Sequence, residues 1–209
     1  ETLVGSGLKF IRRAQGDSKI YYLVNHPQED IDTYIPLSGN VDNAVLLDPL
    51  TRKVGTAAAR NIEGQAEVKV QIASGDALLI KTNWDLPEEQ WAYTSPSAEG
   101  IPLETEWNIS FEEGGPTLPE AATLSSLKSW TTLGADAEHF SGTASYTTTF
   151  TKPETAADTW QPDLGDVRES AAVWLNDNYI GTAWSAPYRL DLGALQSGEN
   201  TLTIKVTNL

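Results

Sequence analysis

Residues 67–72 read Glu67-Val68-Lys69-Val70-Gln71-Ile72, and residues 201–207 read Thr201-Leu202-Thr203-Ile204-Lys205-Val206-Thr207. Apolar and polar side chains alternate in both. Successive side chains of an extended chain point to opposite faces, so each stretch has one buried and one wet face. Working outward, similar segments occur at Leu8–Arg13, Lys19–Asn25, Ala44–Leu47, Ala77–Thr82, Trp107–Phe111, Ser145–Phe150 and Ala171–Asn176. Turn formers punctuate them, at Asn40, Ser74-Gly75-Asp76, Gly114-Gly115-Pro116 and Ser197-Gly198-Glu199-Asn200. Many short strands separated by such turns predict an all-β chain of sandwiches or barrels. One hairpin is predicted in detail: Ala171–Asn176 runs out, Asp177-Asn178 turns, and Tyr179–Thr182 returns, because Asp and Asn tolerate the positive φ of tight turns. A short connecting helix is predicted over Pro119–Trp130, where Leu124 and Leu127 have i, i+3 spacing.

Residues 88–102 are rich in Pro, Ser, Glu and Gly and lack strand alternation. They predict a division near residue 98. A β-sandwich accessory domain would cover 1–98 and a second β-sandwich 99–209, with 99–140 as linker and first strand. Each is near the usual ~100 residues of such a domain. The halves show no internal repeat.

Composition excludes several functions. The 209 residues carry 14 Lys+Arg against 29 Asp+Glu, a formal net charge of −15. That leaves no basic footprint for nucleic acid. A hydrophobic fraction of 40% and seven Trp argue against disorder. The absence of cysteine removes disulfides, thiolate zinc sites and cysteine nucleophiles. No stretch has the roughly 18 apolar residues of a membrane span. With no methionine anywhere, residue 1 is not an initiator, which suggests a processed, recombinant or excised piece.

Catalytic signatures are missing. There is no G-x-S-x-G elbow, no P-loop and no dinucleotide fingerprint. His26 and His139 belong to no H-x-x-x-H ligand pair. A glycosidase needs two carboxylates about 5–9.5 Å apart across the scissile bond. Glu112-Glu113 is adjacent in a strand, so its members point to opposite faces, and it reads as a solvated strand end. Glu29-Asp30-Ile31-Asp32 reads as surface, or as a calcium site that lacks the full loop pattern. No catalytic residue, specific metal ligand or cofactor motif is assigned.

Aromatic residues are the class that could make a site. Pyranose rings have apolar C–H faces that stack on flat aromatics beside polar groups. Trp184-Ser185-Ala186-Pro187-Tyr188-Arg189 follows a strand and mixes Trp, Tyr and Arg in a loop-like run. Trp184, Tyr188, Arg189 and Trp160 are therefore the candidate carbohydrate-binding residues. Trp174 is a weaker candidate; its parity sets it opposite Val173 and Leu175. Arg12 and Arg13 are adjacent, so one should point inward and need a carboxylate partner. They are expected at an interdomain salt bridge or another interface.

Further motifs carry a family resemblance. Gly142-Thr-Ala-Ser-Tyr146-Thr-Thr-Thr-Phe150 is followed by Asp163-Leu-Gly-Asp-Val-Arg168-Glu-Ser-Ala-Ala-Val-Trp174-Leu-Asn176. Ile180-Gly181, Pro187-Tyr188 and Gly198-Glu-Asn200-Thr-Leu202-Thr-Ile-Lys-Val206-Thr-Asn208 come next. About residues 140–209 resemble the sugar-binding jelly-roll domain of family 2 glycoside hydrolases, a galactose-binding-like β-sandwich. Asp177-Asn178 stands where that family often has Asn-Gly. Phe10-Ile-Arg12-Arg13, Ile20-Tyr21-Tyr22-Leu-Val-Asn25, Leu47-Asp48-Pro49, Ala77-Leu-Leu-Ile80 and Trp107-Asn-Ile-Ser-Phe111-Glu-Glu-Gly114-Gly115-Pro116 resemble the β-domain that follows the catalytic barrel in family 106 α-L-rhamnosidases. The resemblance implies the C-terminal part of a large secreted or periplasmic bacterial glycosidase. In that family the catalytic carboxylates and a calcium ion belong to the barrel. The implied partners are that barrel and plant polysaccharide or a neutral sugar. A free-standing carbohydrate-binding module and a structural or adhesive β-sandwich pair remain the other readings.

Overall fold

The structure is a computed structural model that describes residues 3, 5, 7–26, 29–95 and 100–208. Internal packing divides it into two units, Glu1–Ser95 and Pro96–Leu209. The expected division at residue 98, and the start of the second domain at 99, lie outside the described residues.

In the first unit, the alternating stretch at 67–72 lies in strand β7 (Gln65–Ile72), the middle of a sheet ordered β3 (Ile31–Pro36), β7, β6 (Ala59–Ile62). A second antiparallel sheet is ordered β1 (Lys9–Gln15), β2 (Ser18–Val24), β8 (Ala77–Thr82), β4 (Ala44–Leu47), β5 (Val54–Thr56). Val68, Val70 and Ile35 from one sheet and Tyr21, Leu23, Leu46 and Ile80 from the other form one core, each 0–1% exposed. Burying each aliphatic one is worth about 1.5–3 kcal/mol before the entropy of ordering it is subtracted. Asn25 is fully buried and ties the sheets together, its Nδ2 donating to the carbonyls of Glu29 and Ile72 at 2.9 Å.

The second unit has one six-stranded antiparallel sheet. Its order is β10 (Ala122–Leu124), β9 (Trp107–Gly115), β11 (Ser141–Thr151), β14 (Glu199–Thr207), β12 (Ser170–Leu175), β13 (Asn178–Ala183). Ile109, Ala144, Val173 and Ile204 point to one face, and largely irregular segments carrying Trp130, Val167, Leu192 and Leu195 cover them. The other face is wet.

Two local predictions are corrected. Pro119–Trp130 holds no helix: Ala122–Leu124 is strand β10, pairing Leu124 with Trp107, while Leu127 is exposed. An open edge of β9 satisfied that backbone better than two leucines at i, i+3 could. The only regular helix among the described residues is Ala135–Glu138, preceded by a 3₁₀ turn at Trp130–Thr132. The hairpin turn sits one residue earlier than expected: Leu175 pairs with Asn178, and Asn176 and Asp177 hold φ of 50° and 64°. Positive φ at both central residues is the type I′ requirement, which matches the twist of the strands.

Candidate functional site

β13 delivers its last residue, Ala183, into the core and then Trp184 into solvent, where Trp184 is 64% exposed. After it the chain turns at Ala186-Pro187, and an extended segment begins at Tyr188. That segment runs against residues 160–164. Leu164 N–H donates to the Tyr188 carbonyl at 3.0 Å, Trp160 N–H to Gly193 at 3.1 Å, and Leu192 N–H to Trp160 at 2.8 Å. Three of the four predicted aromatic-site residues thus lie on two adjacent segments.

Their side chains are largely engaged. Tyr188 and Trp160 pack against the core of this unit. The Trp160 indole N–H is buried without a hydrogen-bond partner among the described residues. Arg189 grips Asp163 through Nε at 3.0 Å and Nη2 at 2.8 Å. Asp163 also accepts Gly165 N–H at 2.9 Å. That backbone bond, the largest single cause, together with Arg189 holds its carboxyl below the usual range. Trp184 alone of the four presents most of its ring.

The exposed surface gains from a side that the loop reading left out. Trp174 projects to the wet face of the sheet. Its ring centroid lies 5.3 Å from that of Tyr179 across the β12–β13 pair, and Lys205 Nζ sits 5.4 Å from it. Tyr179 is 58% exposed, and its hydroxyl is 2.8 Å from Thr182 Oγ1. Parity alone had already set Trp174 opposite the core; its partner Tyr179 follows from the turn at Asn176-Asp177, one residue earlier than expected.

On the covered side of the sheet lies a cleft of about 1290 Å³ lined by Trp107, Trp130, Tyr146, Leu127, Arg168 and other residues. Trp107, Trp130 and Tyr146 are 3%, 5% and 7% exposed, so they offer edges and no ring face for stacking. Burial pushes the Tyr146 hydroxyl up to about 12.

Arg12 and Arg13 are both exposed; Arg12 pairs with buried Tyr21 and shares its side of the sheet, and Arg13 takes the other side. β1 is an edge strand on which Phe10 packs against the core, while neighbouring Ile11 is 70% exposed. Arg12 Nη1 donates to Ser38 Oγ at 2.6 Å within the first unit.

Carboxylates are spread over structural tasks. Glu112 pairs with Lys205 at 2.8 Å, and Asp32 lies 3.3 Å from Lys69. Burial raises the Asp76 carboxyl above its ordinary value. It caps a hairpin by accepting Ala77 N–H at 2.8 Å. No group of three or more potential ligands able to hold a metal occurs among the described residues, including Asp30 and Asp32.

No family model matches the chain. A solved rhamnosidase from Novosphingobium sp. PP1Y superposes with a TM-score of 0.73 and 28% identity, over 96% of this chain and 19% of that one. A protein of Formosa agariphila named as a beta-glucuronidase is 44% identical over 88 residues, which is 40% of this chain and 8% of its own length. A Bifidobacterium dentium beta-glucuronidase, at a TM-score of 0.41 and 22% identity over 51% of this chain, is too slight a likeness to carry an argument. The chain spans between 8% and 20% of the lengths of these proteins. It is an all-β chain related to a segment of much longer glycoside hydrolases.

Proposed function

We propose that this chain is a non-catalytic, C-terminal accessory portion of an α-L-rhamnosidase-like glycoside hydrolase, exported from a bacterial cell. It supports the catalytic barrel of its parent, and Arg12 and Arg13 on the open edge strand belong to an interface with other parts of that enzyme. The observation that carries this reading is the likeness to a rhamnosidase over 96% of the chain and both of its units, at 28% identity. The test is the intact mass of the natural protein, read by immunoblot of producing cells and medium. A polypeptide several times heavier than 22.7 kDa is expected. A stable natural product of that mass would replace this reading with a free-standing module.

A second reading, that the chain contacts polysaccharide, is favoured by Trp184, whose ring is 64% exposed beside a strand of the second unit.

A further inference from the structure

The wet face of the six-stranded sheet has a composition that solubility alone does not require. Its two central strands pair hydroxyl with hydroxyl: Thr143 with Thr207 at 2.9 Å and Thr147 with Thr203 at 3.3 Å. On β9 and β10, Thr123 donates to Asn108 at 3.0 Å. Lys205 and Glu112 pair with each other at 2.8 Å, and the bulge in β9 also sets the exposed carboxylate Glu113 beside Thr143 at one end of the face, while Ser145, Thr147 and Thr203 carry no charge. The half around this face holds 16 acidic against 5 basic residues from 99 to 209.

At the β12–β13 side the hydroxyl rows meet aromatics. Trp174 and Tyr179 lie 5.3 Å apart with ring planes tilted 56°, so they form two walls of a shallow trough. Ala183 is buried against Ala171, which puts Thr182 and, by alternation, Trp184 on the same outer side. Three aromatic rings therefore border a hydroxyl-lined surface. Their faces suit the C–H faces of pyranoses, and the threonine rows suit their hydroxyl rims.

We propose that this outer sheet face, with Trp174, Tyr179 and Trp184, docks a neutral polysaccharide chain. The proposal rests on the polysaccharide-contact reading above and gives it a site and a ligand class. It is independent of whether the parent is a rhamnosidase. The charge of the half disfavours uronate polymers, because an acidic surround repels polyanions.

The test is affinity electrophoresis of the 209-residue chain in gels containing arabinogalactan, galactomannan or xyloglucan, with polygalacturonate and alginate as charged comparisons. Tyr179→Ala and Trp184→Ala are run beside Trp84→Ala, which removes an exposed aromatic from the first unit. Circular dichroism melting shows that each variant is folded. The expected result is retardation by at least one neutral polymer, weakened about tenfold by each outer-face substitution and unchanged by Trp84→Ala. Three results would overturn the proposal: no retardation by any neutral polymer, retardation by uronate polymers alone, or retardation indifferent to both outer-face substitutions. None of these bears on the intact mass, so the accessory reading would survive them.

Discussion

Gly114 and Gly142 face each other across β9 and β11 under the ring of Phe140. A Cβ on Gly142 would lie 2.7 Å from that ring, and one on Gly114 would lie 2.8 Å from it. Both residues also hold positive φ, at 157° and 142°. Gly114→Ala is expected to cost about 1–3 kcal/mol in denaturant unfolding, since the neighbouring backbone cannot yield. Both glycines were visible in the sequence as punctuation, but their opposition across two strands was not. The motif asparagines have a comparable explanation. Asn200 is fully buried; its Nδ2 donates to the carbonyls of Gln196 and Gly198, and its Oδ1 accepts from Asn176 Nδ2 at 3.0 Å. Asn176 Oδ1 in turn accepts Thr201 N–H at 2.8 Å. These residues fix the β12–β13 turn to the start of β14, so the resemblance at 176 and 200 reports architecture. Tyr146 gives a titration signature. Its folded pKa is raised from 10.0 to about 12, so the unfolded chain loses the proton first. Stability is fully present below pH 10 and falls as pH rises toward 12. In urea titrations across that window, Tyr146→Phe should remove the Tyr146 share of the decline.

Period-2 alternation exposed the strands, because one wet face and one buried face impose it directly on the sequence. It failed where two elements were equally short. At 119–130, two leucines suited a helix turn as well as a strand, and only the free edge of β9 decided between them. Alternation also predicted one inward arginine at 12–13; the register puts Arg12 on the side of buried Tyr21, but at the sheet edge it stays exposed and donates to Ser38. The candidate site was half legible for the same reason. Trp184 was found because it leaves a strand amid polar residues, and Trp174 by parity. Tyr179 joined Trp174 through the earlier turn, and the bulge past that pair brings Thr182 and Trp184 to the same side, a shift that leaves no mark in the pattern. Tyr188 and Trp160 were expected to bind and are spent on packing. The β12–β13 turn supports a test at this scale. Asp177 holds a φ of 64°. Asp177→Val should destabilise the second unit by about 1–2 kcal/mol, and Asp177→Gly should not, as read from thermal or urea midpoints.

At the scale of the whole molecule, the chain divides its charge as it divides its packing. Residues 1–98 carry 9 basic and 13 acidic residues, against 5 and 16 in residues 99–209. Within that acidic half the sheet face offers hydroxyls and aromatic rings in a surround that repels polyanions, which is why a neutral sugar polymer is the ligand class argued for it. Each unit has its own core, so heat or denaturant should act on two cooperative bodies. Gly114→Ala should lower the midpoint of the second unit alone. The central claim is that these two sandwich-type units accompany a glycosidase without performing its chemistry. It is tested most directly by incubating the purified chain with 4-nitrophenyl α-L-rhamnopyranoside and following nitrophenolate release. The account predicts a rate indistinguishable from buffer. Turnover that a single carboxylate substitution abolishes, in a variant that stays folded, would contradict it.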